Sequence, residues 1–220
     1  MYDKLIKRMS DVIISLIFMP LLLLIILIAA PVIYFTDRGP VFYNAPRIGK
    51  NGRIFKMYKF RSMYVNAPDI RLADGSTYND ENDPRVTKIG KFMRKTSLDE
   101  APQLLNVLLG DMSLIGPRPD PPDWLERYPE DVKIFLKVRP GITGYNQAYF
   151  RNQADGCEKM KNDVYYALNC TLAMDIKIFF KTIGAVAFGK NTYKITENES
   201  AALEEAAKIK ILEPPKEEKN

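Results

Sequence analysis

From Val12 to Thr36 the chain carries no charged residue. An uninterrupted apolar run of about 25 residues is long enough to cross a bilayer. Leu21 through Ile28 form its centre. A secretory signal would have a shorter apolar region with a small-residue cleavage site behind it. Here Ala29-Ala30 is followed directly by Pro31, which makes a poor site. The flanks constrain topology further. Lys4, Lys7 and Arg8 precede the run, and Arg38, Arg47, Lys50 and Arg53 follow it. Basic residues stay on the cytoplasmic side, so a plain span would misplace one flank. A segment that enters and returns keeps both flanks together. Pro20 removes a helical hydrogen bond and favours a bend. Tilted spanning and re-entrant insertion both remain open on this pattern.

The chain has 220 residues, a net charge of +5 and no histidine. Without histidine there is no His-based triad, no His–zinc site and no imidazole base. Chemistry must therefore run on carboxylates, Lys, Arg, Tyr, Ser or an oxygen-held metal. Cys157 and Cys170 match no metal spacing and make no disulfide scaffold. They read as ordinary thiols of a reducing compartment. The basic balance suits anionic partners such as phospholipid head groups or nucleotides. No aromatic–basic RNA motif or DNA-binding helix pair is visible, so nucleic acid is not expected.

Past the apolar run, residues 41–63 read as a hairpin around the tight-turn pair Asn51-Gly52. Residues 64–84 read as a loop, 85–95 and 100–109 as short helices, and 110–122 as a Gly/Pro loop. Residues 123–137 and 158–188 read as helices, and Arg139-Pro140-Gly141 opens another loop. Leu172, Ile176, Phe179, Ile183 and Val186 recur at helical spacing, with Lys177 and Lys181 alongside. That stripe fits a core-facing helix or one lying in a membrane interface. A short helix follows Thr196, and residues 214–220 read as disordered. The class expected is α+β and mostly helical, with a membrane segment at 1–38, a main domain at 39–195 and a tail at 196–220.

Several segments bear chemistry-capable side chains. Thr96-Ser97-Leu98-Asp99-Glu100-Ala101-Pro102 is a helix start. Ser97 and Glu100 have capping-box spacing, yet capping by Leu98 or Asp99 would place Pro102 within the tolerant first turn. In either case the helix dipole favours ionised Asp99 and Glu100, able to act as nucleophile or metal ligand, or merely as caps. Arg118 sits between Pro117 and Pro119, a rigid setting for bidentate phosphate binding or a solvated turn. Arg139 and Arg151 belong to a second arginine and glycine loop. Lys59 and Arg61 add cations to the hairpin strand. Together these make an acidic pair and several loop-held cations beside a membrane segment, which suits phosphate-bearing substrates and a divalent metal.

Tyr58-Lys59-Phe60-Arg61-Ser62-Met63, the string Ser97 to Val107, Gly110 to Pro119 and Arg139 to Gly144 resemble the bacterial sugar transferase family. Asp163-Val164-Tyr165-Tyr166 and Asp175-Ile176-Lys177-Ile178 extend the resemblance, which runs from Tyr2 to about Phe188. These are the monotopic phosphoglycosyl transferases. The resemblance implies that Asp99 attacks the sugar-side phosphate of a UDP-sugar and expels UMP. A polyprenyl phosphate, undecaprenyl phosphate in bacteria, then takes the phosphosugar from the aspartyl intermediate. It implies that Glu100 holds Mg²⁺ and that Lys59, Arg94, Arg118, Arg139 and Arg151 lie near the substrate phosphates. It implies a re-entrant anchor, contact with membrane lipids and a catalytic domain on the cytoplasmic face of the bacterial inner membrane. A homodimer is compatible with it. Met19 stands before Pro20 where members often have Ser. Tyr145 to Arg151 departs from the usual Trp-Ala-Gln-Val-Asn-Gly-Arg. The chain is expected to be a minimal catalytic unit. A non-catalytic adaptor of the same fold and a lipid-diphosphate hydrolase are the alternative functions.

Overall fold

The computed structural model describes residues 2–70, 78, 80, 83–150 and 156–187. It is α+β and mostly helical. A π-helical turn, Tyr2–Ile6, leads into α1, Lys7–Asp37. Pro20 and Pro31 lie inside α1, and neither ends it. At 31 residues α1 would reach about 46 Å if straight. It stops where Arg38 turns left-handed (φ 56°) and returns its N–H to the Tyr34 carbonyl.

The expected hairpin is present. Strand β1, Phe42–Ile48, pairs antiparallel with β2, Ile54–Phe60, so that Phe42 faces Phe60 and Ile48 faces Ile54. Asn51 and Gly52 take positive φ in the turn, the conformation for which Asn-Gly is suited. Helix α2, Lys88–Thr96, is capped by Thr87, whose hydroxyl accepts from the Gly90 N–H at 2.9 Å. Helix α3, Gln103–Leu109, follows after a 3-10 turn at Leu98–Glu100. No capping box forms there. Ser97 sits at φ 58° as the left-handed end of α2, with no side-chain cap bond.

The structure corrects the sequence reading in two places. Residues 110–122 and 139–144 are not mere loops. They contribute β3, Ser113–Ile115, and β4, Gly141–Thr143, paired in parallel. Three residues each are too few to show a period-two pattern. Residues 123–137 do not form one α-helix. Only 3-10 turns at Pro122–Trp124 and Lys133–Lys137 appear, since Pro129 interrupts the run. The stretch 158–188, read as mainly helical, is so over its described residues, as α5, Gly156–Asn169, and α6, Leu172–Ala187, preceded by the short α4, Tyr145–Tyr149. The reading of a helix after Thr196 and of a disordered end lies outside the described residues.

Core packing occurs in small clusters. Phe55 and Met57 of β2 meet Val107 and Met112 beside α3. Phe60 meets Met93 of α2 and Ile33 of α1. Tyr166, Ile178, Ile115, Val138 and Ala148 hold α4, α5 and α6 against the second sheet. Asn106 contributes a polar joint. Buried on α3, its side chain accepts the Tyr58 N–H at 2.8 Å and donates to the Lys56 carbonyl at 2.7 Å. A two-stranded sheet leaves one side of β2 unpaired, and buried backbone groups there need partners. Asn106 supplies them.

Helix α1 has two kinds of surface. Lys7, Asp11, Ser15, Leu22 and Ile33 are buried along one stripe. Leu16, Ile17, Leu23, Leu24, Leu27, Ile28 and Phe35 are exposed, Phe35 by 76%. Such a contiguous apolar face is far larger than a soluble monomer tolerates. Both ends of the helix grip the same body. At the N-terminal end, Arg8 donates to the carbonyls of Val107 and Leu108, Lys7 pairs with Asp175, and Asp11 accepts from Ser113 Oγ and the Leu114 N–H at 3.1 Å. At the C-terminal end, Asp37 takes both Nη atoms of Arg61 at 2.6 Å and the Val65 N–H at 3.0 Å.

Candidate active site

The site forms where β2, the turn after α2 and the Pro-Arg-Pro segment converge. The left-handed Ser97 stops α2 abruptly and starts the 3-10 turn that carries Asp99 and Glu100. Asp99 is 2% exposed. Lys59 of β2 places Nζ 2.7 Å from Asp99 Oδ2 and 3.6 Å from Glu100 Oε1. Asn106 fixes this register, because it ties β2 at Lys56 and Tyr58 to the helix that follows the acidic pair.

Arg118 closes the far side. Its Nη2 donates to Glu100 Oε1 at 2.7 Å and Nη1 to Oε2 at 3.5 Å. Burial alone would raise the Glu100 carboxyl, but the Arg118 and Lys59 cations overcome it and hold it at about 2. Glu100 is thus ionised at neutral pH. The Arg118 side chain remains 43% exposed, so its guanidinium is open to an incoming anion.

Backbone packing decides where Arg118 stands. Gly116 donates to the Thr143 carbonyl at 2.8 Å, and Gly141 to the Pro117 carbonyl at 2.9 Å. A Cβ on Gly116 would meet the Arg139 carbonyl oxygen at 2.3 Å, and one on Gly144 would meet the Gly116 carbonyl oxygen at 2.0 Å. The arginine loops pack backbone against backbone, and only glycine permits that approach.

Of the residues expected at the site, Lys59, Asp99, Glu100 and Arg118 are brought together. Arg94 lies on α2 and donates Nε to Ser62 Oγ at 2.9 Å, three residues beyond Lys59. Arg139 donates Nε to the Gly110 carbonyl at 3.0 Å, which ties it to the end of α3, and no ion pair joins it to the acidic pair among the described residues. Arg151 lies outside the described residues. Arg61 is not a substrate-facing cation of the hairpin but a buried clamp on Asp37. Asn106 was missed as a site-forming residue. A lone Asn inside the apolar stretch Leu104–Leu109 was its signal.

Among the described residues no three His, Cys, Asp or Glu gather into a metal cluster. A magnesium ion is commonly held by one or two carboxylates with substrate phosphates and water completing its shell. Asp99 and Glu100 match that donor set in kind. Among the described residues Glu100 Oε2 has only the long Arg118 contact, which leaves it available to a cation.

A buried carboxylate, a neighbouring carboxylate held ionised and two flanking cations make a centre suited to phosphoryl chemistry. The chain matches the bacterial sugar transferase family over residues 2–189, and it belongs to that family. It is 40% identical over 201 residues to the undecaprenyl-phosphate galactose phosphotransferase of Salmonella typhimurium, covering 84% of this chain and 41% of that protein. It is 41% identical over 202 residues to the exopolysaccharide production protein ExoY of Rhizobium meliloti, covering 85% and 88%. With the UDP-glucose:undecaprenyl-phosphate glucose-1-phosphate transferase of Klebsiella pneumoniae it shares 38% over 195 residues, covering 85% and 41%. The chain thus spans about two fifths of the longer relatives and most of ExoY.

Proposed function

We propose that the protein transfers a phosphosugar from a UDP-sugar to a polyprenyl phosphate and releases UMP. Asp99 held by Lys59, with Glu100 forked by Arg118, is the observation that carries this reading. The activities for which the Salmonella and Klebsiella relatives are named are of the same class.

In this reading Lys59 fixes Asp99 Oδ2, and Oδ1 attacks the sugar-side phosphorus. The bond from that phosphorus to the bridging oxygen breaks, and UMP leaves with the bond's electrons. The product on the enzyme is a phosphosugar–aspartyl mixed anhydride. The polyprenyl phosphate oxygen then attacks the same phosphorus. Asp99 is released as carboxylate, and a polyprenyl diphosphosugar forms. Arg118 and Lys59 stabilise charge on the phosphate oxygens as it builds. Glu100, with Asp99 beside it, would hold Mg²⁺, which when bound neutralises charge on the leaving phosphate. The pairing with Arg118 keeps Glu100 ionised for that task.

The anchor in this reading is re-entrant, with the catalytic body on the cytoplasmic face of the bacterial inner membrane. Support comes from α1 itself. The helix is long and apolar enough to cross a membrane. Yet Arg8 is bound to α3, Asn106 of α3 is bound to β2, and Arg61 just beyond β2 is bound to Asp37. A plain span would carry these two ends to opposite sides of about 30 Å of hydrocarbon. The exposed α6 stripe supplies a second apolar surface for the interface.

The test is UMP release by the full chain in detergent, with a panel of UDP-sugars, undecaprenyl phosphate and Mg²⁺. Release is expected with one or a few sugars, lost on chelation of the metal, and lowered at least about 1,000-fold by Asp99→Asn, as befits a covalent nucleophile. Sustained release without lipid acceptor would show hydrolysis of the donor in place of transfer, and cleavage of a polyprenyl diphosphate with no UMP release from any sugar would favour the lipid-diphosphate hydrolase. No release from folded protein with any sugar would favour the adaptor.

A further inference from the structure

The turn that presents Arg118 is held at its downstream end by charges for which the proposed reaction has no use. Asp120 Oδ2 accepts from Tyr128 Oη and from Lys159 Nζ, each at 2.6 Å. The Asp120 carbonyl accepts the Ile48 N–H at 2.9 Å. Lys159 Nζ also lies 3.3 Å from Asp163 Oδ2. Asp163 is 1% exposed, and Asn146 Nδ2 donates to its other oxygen at 3.3 Å. One ammonium group on α5 therefore bridges two carboxylates, one of them two residues from Arg118. Upstream, the Gly116 and Gly141 bonds described above pin the same turn. Pro117 and Pro119 lock φ on either side of Arg118. With both ends fixed and two torsions removed, Arg118 has little freedom except what Asp120 allows.

We propose that Lys159 is a positioning residue for Arg118. It acts through Asp120, and the proposal rests on the phosphate-binding role assigned to Arg118 above. Without the ammonium group, Asp163, 1% exposed and already raised by burial, is driven to its neutral form, and the Asp120 carboxylate is left with no cation in its half-buried place. Asp120 then moves toward solvent and carries the Pro-Arg-Pro turn with it. The guanidinium leaves the fork on Glu100, and the donor phosphates lose a prealigned partner. Removing a buried partner of this kind disturbs its neighbours more than its own contact suggests.

Two measurements test this on the full chain in detergent. The first is a double-mutant cycle on donor kcat/KM with Lys159→Met and Arg118→Lys. Lys159→Met is expected to lower kcat/KM about tenfold, mainly through KM, in the native background, and by less than about twofold once Arg118 is replaced. Lys159→Arg should restore it to within about threefold of native. An equal loss in both backgrounds, or no loss in the native one, would overturn the proposal. The second is independent of turnover. In ¹⁵N-arginine-labelled protein, the Arg118 Nε–Hε resonance, identified by its absence in Arg118→Lys, should shift in Lys159→Met. Arg85, buried against Asp83 at 2.8 Å, reports retained folding. An unmoved Arg118 signal beside an intact Arg85 signal would overturn the proposal even if the native protein released no UMP, an outcome that sinks the transferase reading alone. If Lys159→Met loses the Arg85 signal, Asp120→Asn is read in its place by the same criteria. It keeps an acceptor for Tyr128 and removes the charge facing Lys159.

Discussion

Asn106 shows how much one side chain decides at this centre. Its amide replaces a missing strand along β2 and so sets Lys59 opposite Asp99. Truncation leaves the part-buried Lys56 carbonyl and Tyr58 N–H without this partner, at the lower end of about 1–3 kcal/mol each. Asn106→Ala should therefore destabilise the protein by about 2–4 kcal/mol in denaturant unfolding, and lower UMP release in the molecules that remain folded. A change below about 0.5 kcal/mol would mean the joint is dispensable. At this scale the residues that gather at the candidate site were largely legible in the sequence. Asp99, Glu100, Lys59 and Arg118 stand out as charges beside prolines and glycines, in strings specific enough to suggest a family. What was not legible was the division of labour among cations. Arg61 and Lys59 are two residues apart on one strand end, yet one clamps Asp37 and the other holds Asp99. Sequence spacing does not say which partner a cation meets across the fold. For the same reason Lys7 and Arg8, read as a basic flank, are ligands of Asp175 and of the carbonyls ending α3.

Among the elements, α6 reverses the plainer of its two readings. Leu172, Ile176, Phe179 and Ile183 are 47–51% exposed, while Asp175 and Ile178 are buried. The helical period was correct, but the core lies on the other face. Periodicity reveals a stripe and not its solvent. Asp175 draws that face inward because Lys7, Tyr2 and Tyr166 all bond to it. Lys177 and Lys181 are exposed with the apolar stripe, and Lys181 lies 4.4 Å over the Tyr149 ring. This combination suits an anionic interface, where each basic residue near the surface is worth about 1 kcal/mol. The double change Lys177→Glu and Lys181→Glu should weaken sedimentation with anionic liposomes at least about tenfold, with little effect on neutral ones. Unchanged binding to anionic vesicles would contradict an interfacial α6. The short β3–β4 pair escaped sequence reading for the opposite reason. Its stability comes from glycine-enabled contact between distant loops, which leaves no local period.

Across the whole molecule, anchor and catalytic body form one packed unit. The stripe from Lys7 to Ile33 is buried, and both ends of α1 are bonded to the same sheet-and-helix framework. The re-entrant account predicts that single cysteines at Lys4 and Arg38, with Cys157 and Cys170 replaced, react with a membrane-impermeant maleimide only in inverted vesicles. Labelling of the two from opposite sides would show a plain span. Under the proposed re-entrant topology, the acidic pair would lie on the side of the membrane where a polyprenyl phosphate presents its head group. Covalent transfer through Asp99 is the central claim, and mass spectrometry of the protein incubated with its UDP-sugar, without lipid acceptor, tests it most directly. The account predicts a phosphosugar adduct on the peptide containing Asp99, absent from Asp99→Asn and discharged when undecaprenyl phosphate is added. Full transfer to lipid with no adduct at any time, or an adduct on another residue, would contradict it.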